Sequence, residues 1–279
     1  MSVFGSLKPL LVVQGFSHPF LDVVMRGISA LGGEFFYFAV LVFLYWRVER
    51  KFAFRLATVV LVSLFLNFLG KNFWALPRPQ GEGLRVLELT EDFSFPSGHA
   101  QSVSSFWFFL AFSLRKIPWY VVAGILTILV SLSRLYLGVH YLQDVLAGAG
   151  LGFVIALAFT SIFSCQFRLA SFRKGLILWA LVSGGLFLLA PSGLAMRVGG
   201  SLSGVLLGYL LVVQLKIPDF SLSYGILCGG AVGVVLVYLG GRVFGSTQTA
   251  LFLRYFLLNW FATFVVPLGA YHWKERQRR

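Results

Sequence analysis

Between Ser133 and Asp144 the chain reads Ser-Arg-Leu-Tyr-Leu-Gly-Val-His-Tyr-Leu-Gln-Asp, which sets an arginine, a histidine and an aspartate into surroundings that are otherwise mostly hydrocarbon. If the residues from His140 onward are helical, His140 and Asp144 are spaced i, i+4 on one face, where the carboxylate holds the imidazole in one tautomer. That spacing makes His140 a candidate nucleophile. A turn at Gly138 would fold Arg134 back over whatever His140 attacks, and its planar cation suits a phosphate-like anion. The same residues also fit a plain helix boundary with a snorkelling arginine and a capping aspartate.

Two further polar clusters supply what a phosphoryl-transfer site needs. Lys71 and Arg78 flank the point where an apolar run breaks at Pro77, and with Arg134 they would place fixed positive charge around the non-bridging oxygens. Ser97 and Gly98 precede a helix start, where free backbone N–H groups and the helix dipole favour an anion. His99 is then placed to protonate the departing alkoxide, a contribution of roughly 10²–10⁴ in rate. His140 would attack phosphorus in line, and water would hydrolyse the phosphohistidine with His99 turning from acid to base. No metal or other cofactor is required, since Glu82, Glu88, Glu91 and Asp92 sit in a loop without ligand-like spacing. Their negative sign would repel a free anion unless it arrives from the membrane, which leans towards a lipid substrate.

The elements that must position these clusters are membrane helices. Of the 279 residues 58% are hydrophobic and 12% charged, which excludes a soluble domain and implies an all-α polytopic protein in a lipid bilayer. Apolar runs at about 31–47, 53–71, 99–115, 117–137, 144–164, 175–191, 198–215, 224–241 and 249–271 give about nine transmembrane helices. The net charge of +13 is a topology signal, because the basic residues fall in short clusters between those runs. No basic, aromatic-interleaved surface for nucleic acid is present. Fourteen of the 23 Lys and Arg residues, among them Arg47, Arg50, Lys51, Arg115, Lys116, Arg168, Arg173, Lys216 and Lys274 to Arg279, follow odd-numbered runs. This places the N-terminus outside, the C-terminus in the cytoplasm and all three polar clusters on the outer face.

Three regions are expected: residues 1–30 as an interfacial amphipathic segment, 31–165 as the core carrying every motif, and 166–279 as an additional four-span region. The first stretch lacks the pattern of a removable signal peptide. Cys165 and Cys228 are not expected to form a disulfide. Glycines four apart, as at Gly148 and Gly152 or Gly200, Gly204 and Gly208, are expected to let helices approach closely in lipid. His18 and His272 lack partner motifs and are expected to be packing or interfacial residues. Asn67, one turn before Lys71, either orients that lysine or makes a helix–helix hydrogen bond. Asp144 would cost ~2.5–3.5 kcal/mol unpaired at the bilayer centre, so it has a partner or lies near the interface.

Lys71-x6-Arg78-Pro79, Pro96-Ser97-Gly98-His99 and Ser133-Arg134-x5-His140-x3-Asp144 resemble, at every motif position, the three-part pattern of the type 2 phosphatidic acid phosphatases. The resemblance covers about residues 50–165. It implies that Lys71, Arg78, Ser97, Gly98 and Arg134 bind phosphate, that His99 is the acid, that His140 is the nucleophile and that Asp144 supports it. It also implies metal-independent dephosphorylation on the extracytoplasmic or lumenal face, here of a membrane lipid phosphate monoester or diphosphate. A bacterial inner membrane is the expected location. The same residues would serve a phosphotransferase with a lipid or sugar hydroxyl as acceptor, or a sugar-phosphate phosphatase. An anion-binding transporter or scaffold is the reading from another class, and it would need neither His99 nor His140.

Overall fold

The computed structural model describes residues 5–90, 92–164, 174–177, 180–181, 184–185, 193–219, 222–245 and 247–278. Among the described residues the secondary structure is helical, with no strand. The expected span at 175–191 falls mostly outside them, as do Cys165, Arg168, Arg173 and Arg279. The helices are α1 (Lys8–Gln14), α2 (Pro19–Ala30), α3 (Glu34–Arg47), α4 (Arg50–Trp74), α5 (Gly98–Leu114), α6 (Ile117–Tyr136), α7 (Leu142–Ser164), α8 (Gly193–Gln214), α9 (Tyr224–Gly240), α10 (Gln248–Trp260) and α11 (Val266–Arg278). Among the described residues six segments are long and apolar enough to cross a membrane, and the pair α2–α3, bent by 48°, would make a seventh. At 17 residues α5 is shorter than these, and it buries the polar side chains Gln101, Ser102, Ser104 and Ser105. Its residues serve the interior of the bundle before they serve lipid.

The chain forms two compact units that do not follow chain order. The first joins Met1–Phe38 to Val62–Cys165, and the second joins Ala39–Leu61 to Gln166–Arg279. All three motifs lie in the first.

In the first unit α5 and α7 are in close apposition, and the sequence explains why. A Cβ at Gly148 would lie 2.5 Å from the carbonyl oxygen of Ser97, and one at Gly152 would collide with that of Gln101. Only glycine lets the two backbones come this near. Ser97 caps α5 from an extended backbone, its hydroxyl accepting from the N–H of Ala100 at 3.5 Å. His18 caps α2 in the same way, accepting from the N–H of Phe20, with Pro19 at the first helical position. Short helix α1 buries Leu10 completely against Ala100, Leu135 and Val145, a contact of ~1.5–3 kcal/mol.

In the second unit Gly200, Gly204 and Gly208 of α8 bring it against Phe252, Phe256 and Thr263. A π-helical turn at Phe261–Val265 separates α10 from α11. The Tyr45 hydroxyl and Trp46 indole donate to the carbonyls of Thr263 and Ala262, at 3.0 and 2.8 Å. Such a turn loosens the regular carbonyl ladder, and these two donors take up its acceptors. Arg254 stacks 4.3 Å over the Tyr238 ring.

Candidate active site

The site is built from the end of α4 and the loop after it, the start of α5, the end of α6 and the turn into α7. After α6 the backbone enters the left-handed region at Gly138, φ +75°, where a Cβ would strike the carbonyl of Arg85. That turn sends His140 back towards the bundle, where it is 1% exposed. His140 precedes α7 rather than lying within it, and its Nδ1 stands 3.5 Å from Asp144 Oδ2. The same Asp144 oxygen accepts the backbone N–H of Tyr141 at 2.8 Å, closing the first turn of α7 in the manner of a capping box. The capping aspartate and the histidine's partner are therefore one side chain.

A third group shares that carboxylate. The Ser94 hydroxyl donates to Asp144 Oδ2 at 2.5 Å and stands 3.5 Å from His140 Nδ1. The N–H of Ser97 donates to the Asp144 carbonyl at 3.0 Å, which ties the second motif to the third. Gly98 packs on Asn67, whose amide donates to the Pro96 carbonyl at 3.2 Å and to Gln101 Oε1 at 2.9 Å. Asn67 thus bonds across to the start of α5. His99 occupies the first turn of α5, partly buried, with its backbone packed beside Gly32.

On the other side of the imidazole lies Arg78, whose Nη1 is 3.4 Å from His140 Nε2 and donates to the Val139 carbonyl at 2.6 Å. With Nδ1 on the Asp144 side, Nε2 faces the guanidinium. Burial, then the cations Arg78, Arg134 and Lys71 together with His99, hold His140 well below the ordinary histidine value of 6.5. The neutral ring keeps its lone pair.

Each cation of the site is paired with a loop carboxylate. Lys71 Nζ donates to Asp92 Oδ2 at 2.6 Å and to the Phe93 carbonyl at 2.5 Å. Arg78 Nη2 donates to the other oxygen of Asp92, and its Nε to the Asp92 carbonyl at 2.9 Å. Arg134, 1% exposed, forks onto Glu88 with Nη1 and Nη2 at 2.7 and 3.2 Å and also donates to Ser29 Oγ at 2.6 Å. A snorkelling arginine would reach water, and this one is enclosed. Burial pushes the Asp92 carboxyl up, but Lys71 and Arg78 outweigh it and hold the group below the usual carboxylate value of 3.8.

The residues singled out by their types and spacing, Lys71, Arg78, Ser97, Gly98, Arg134, His140 and Asp144, thus fall into one contiguous assembly with His99 at its edge. Ser94, Asp92, Glu88 and Ser29 belong to the same assembly and went unpredicted. The available signal was charge balance, because three cations in an apolar protein need nearby anions and the loop at 80–95 holds them. Gln14 had no signal at all. Its amide clamps the N–H and carbonyl of Arg85 at 3.0 and 2.7 Å and reaches the Tyr136 carbonyl at 2.8 Å.

Residues 52–168 match the sequence profile of the PAP2 superfamily. Phosphatidylglycerophosphatase B of Bacillus subtilis is 31% identical over 150 residues, covering 49% of this chain and 72% of that protein. The chain belongs to the PAP2 superfamily. With that membership it is a phosphoric ester hydrolase of the membrane. Human sphingosine-1-phosphate phosphatase 2 is 32% identical over 128 residues, 43% of this chain, but the match spans only 32% of that longer protein. The crystal structure of the transmembrane PAP2-type phosphatidylglycerolphosphate phosphatase from Bacillus subtilis superposes with a TM-score of 0.50 at 26% identity, over 58% of this chain and 86% of its own. The three motifs noted in the sequence, from Lys71 to Asp144, all fall within the matched residues.

Proposed function

We propose that this PAP2 member hydrolyses a lipid phosphate monoester or diphosphate through a covalent phosphohistidine, with His140 as nucleophile and His99 as general acid. Lys71, Arg78, Arg134 and the backbone at Ser97 and Gly98 bind the phosphoryl oxygens, and Asp144 holds the imidazole. The observation that carries this reading is the orientation of His140. One nitrogen stands 3.5 Å from Asp144 and the other 3.4 Å from Arg78, so the lone pair faces the cations that would hold a phosphoryl group. Arg134 Nε adds support, being buried with no acceptor among the described residues while both terminal nitrogens of its guanidinium have partners.

The reaction runs in two displacements. His140 Nε2 forms a bond to phosphorus as the bond to the lipid oxygen breaks, and His99 gives that oxygen its proton. Water then attacks phosphorus, passing its proton to His99 as the N–P bond breaks. Charge on the non-bridging oxygens is met throughout by the arginines and the lysine.

Topology and substrate belong to the same proposal. The apolar runs support about nine spans, the clustering of Lys and Arg after alternate runs supports the N-terminus outside and the site on the extracytoplasmic face, and the Bacillus subtilis relative supports a bacterial inner membrane. Within residues 31–165, the proposed phosphatase core is 62–165, which packs with residues 1–38 as one unit, and 166–279 is assigned as the additional region. The lipid phosphates named for the relatives support a phosphorylated lipid as substrate.

The test is turnover of phosphatidylglycerophosphate and sphingosine 1-phosphate in detergent with EDTA present, with rapid quench to trap the phosphoenzyme. An acid-labile, alkali-stable phosphoprotein that is absent from His140→Ala is expected. Full turnover in His140→Ala, or loss of turnover on chelation, would overturn the mechanism.

A further inference from the structure

The loop carboxylates sit where phosphate oxygens are expected. Asp92 spans Lys71 and Arg78 with one oxygen on each, and Glu88 places both oxygens on the two terminal nitrogens of Arg134. A carboxylate fork reproduces the paired contacts that a phosphate makes with such cations. The loop is pinned close to both residues. The N–H of Leu87 donates to the Leu137 carbonyl at 3.0 Å just before Glu88, and that of Ser94 donates to the Leu76 carbonyl at 2.9 Å just after Asp92. Farther back, Gln14 clamps Arg85, and Arg85 pairs with Asp22 at 2.8 Å. Yet both acidic side chains reach solvent, at 49% exposure for Asp92 and 37% for Glu88. They are tethered beside the cations and open to solvent at their tips.

We infer that Asp92 and Glu88 are internal competitors for the phosphate subsite, displaced when the substrate phosphoryl group binds and returning to expel inorganic phosphate after turnover. This rests on the phosphatase reading above. The need is physical. Cations as enclosed as Lys71 and Arg134 lose their counter-charge when a phosphate dianion departs, and buried unpaired charge is costly. A tethered carboxylate removes that cost by exchanging for the leaving anion, at an effective concentration set by its short tether. The apparent affinity for every phosphate ligand is lowered by the same factor, the fraction of sites from which the carboxylates are absent.

The experiment uses the full chain in detergent with inorganic phosphate as the probe, titrated calorimetrically and as an inhibitor of lipid phosphate turnover. Asp92→Asn, Glu88→Gln and the double variant remove charge and keep shape. Each single variant is expected to bind phosphate about tenfold more tightly, ~1.4 kcal/mol, with the double variant tighter still. The maximal rate should fall as product release slows, and a burst of one phosphate per enzyme should appear. Unchanged or weaker phosphate binding in both single variants, with wild-type melting temperatures, would overturn the competition and leave the carboxylates as mere supports for the cations. The two substitutions touch different cations, so misfolding of one leaves the other decisive. A wild-type protein that neither binds phosphate nor hydrolyses lipid phosphate would instead bring down the phosphatase reading, and this inference with it.

Discussion

The closeness of α5 and α7 makes Gly148→Ala an informative perturbation. Gly148 lies one helical turn beyond Asp144, and a Cβ there would be 2.5 Å from the Ser97 carbonyl and 3.3 Å from the Gln101 nitrogen. Ordinary contact begins at 3.4 Å, so the start of α5 must retreat from α7 by about 0.9 Å. Overpacking of this kind costs ~1–3 kcal/mol, while alanine's better helix propensity returns about 1 kcal/mol. The net loss of stability is therefore small. Activity is the more sensitive readout, because the displacement falls between Ser97 and Asp144, whose N–H to carbonyl bond of 3.0 Å joins the second motif to the third. A misplacement of ~1 Å can cost about 10² in rate. Gly148→Ala is expected to lower kcat for lipid phosphate by about that factor while melting within a few degrees of wild type. Gly150→Ala is the control, since a Cβ there meets nothing within 4 Å. It should retain full activity. Wild-type kcat in Gly148→Ala, or an equal loss in Gly150→Ala, would refute the argument that helix apposition sets the geometry of the site.

Two further outcomes follow from the histidine and its partners. Ser94→Ala removes a bond to a buried carboxylate worth ~1.5–3 kcal/mol, so it should lower the melting temperature and reduce kcat more than KM, with Ser94→Thr restoring both; wild-type behaviour of the alanine variant would count against a positioning role. Because His140 is held well below 6.5 in the folded protein, the unfolded chain takes up a proton there that the native state refuses, and stability present above 6.5 should fall as pH drops below it. The acid limb of kcat/KM should accordingly lie below the ordinary histidine range, and it should move upward in Arg78→Gln, where one opposing cation is gone. A limb at 6.5 or above in the wild type would contradict the environment described for His140.

The site was legible in the sequence to the extent that charge in hydrocarbon is conspicuous. Lys71, Arg78, His99, Arg134, His140 and Asp144 stand out because each must be paired or functional in an apolar helix bundle. Half of the plain helix-boundary reading survived, since Asp144 Oδ2 caps α7 and also stands 3.5 Å from His140 Nδ1, whereas Arg134 is enclosed rather than snorkelling. What the sequence hid were side chains whose type carries no cost in a loop. Ser94, Glu88 and Asp92 look like ordinary loop residues until the chain brings cations to them, and the Gln14 clamp depends on a contact 71 residues away. Span counting was limited for a related reason. The polar residues of α5 face inward and shorten its apolar stretch, while the α2–α3 bend divides another. The grouping of residues 39–61 with the C-terminal region rests on long-range packing, accompanied by the hydrogen bonds of Tyr45, Trp46, Arg47 and Arg50, and leaves no local pattern.

That grouping has a consequence for biosynthesis. The unit that holds the site is complete once about residue 165 has been made. The donors Tyr45, Trp46, Arg47 and Arg50 are synthesised early, but the acceptors Thr263, Ala262, Leu222 and Ile217 lie 218, 216, 175 and 167 residues further along. At roughly 5–20 residues per second that gap lasts on the order of ten seconds or more. For the last part of that interval, after about residue 165, the nascent chain carries the complete first unit together with a half-made second one. The indole and guanidinium groups of that second unit must rest on lipid headgroups, water or the insertion machinery until their carbonyls arrive.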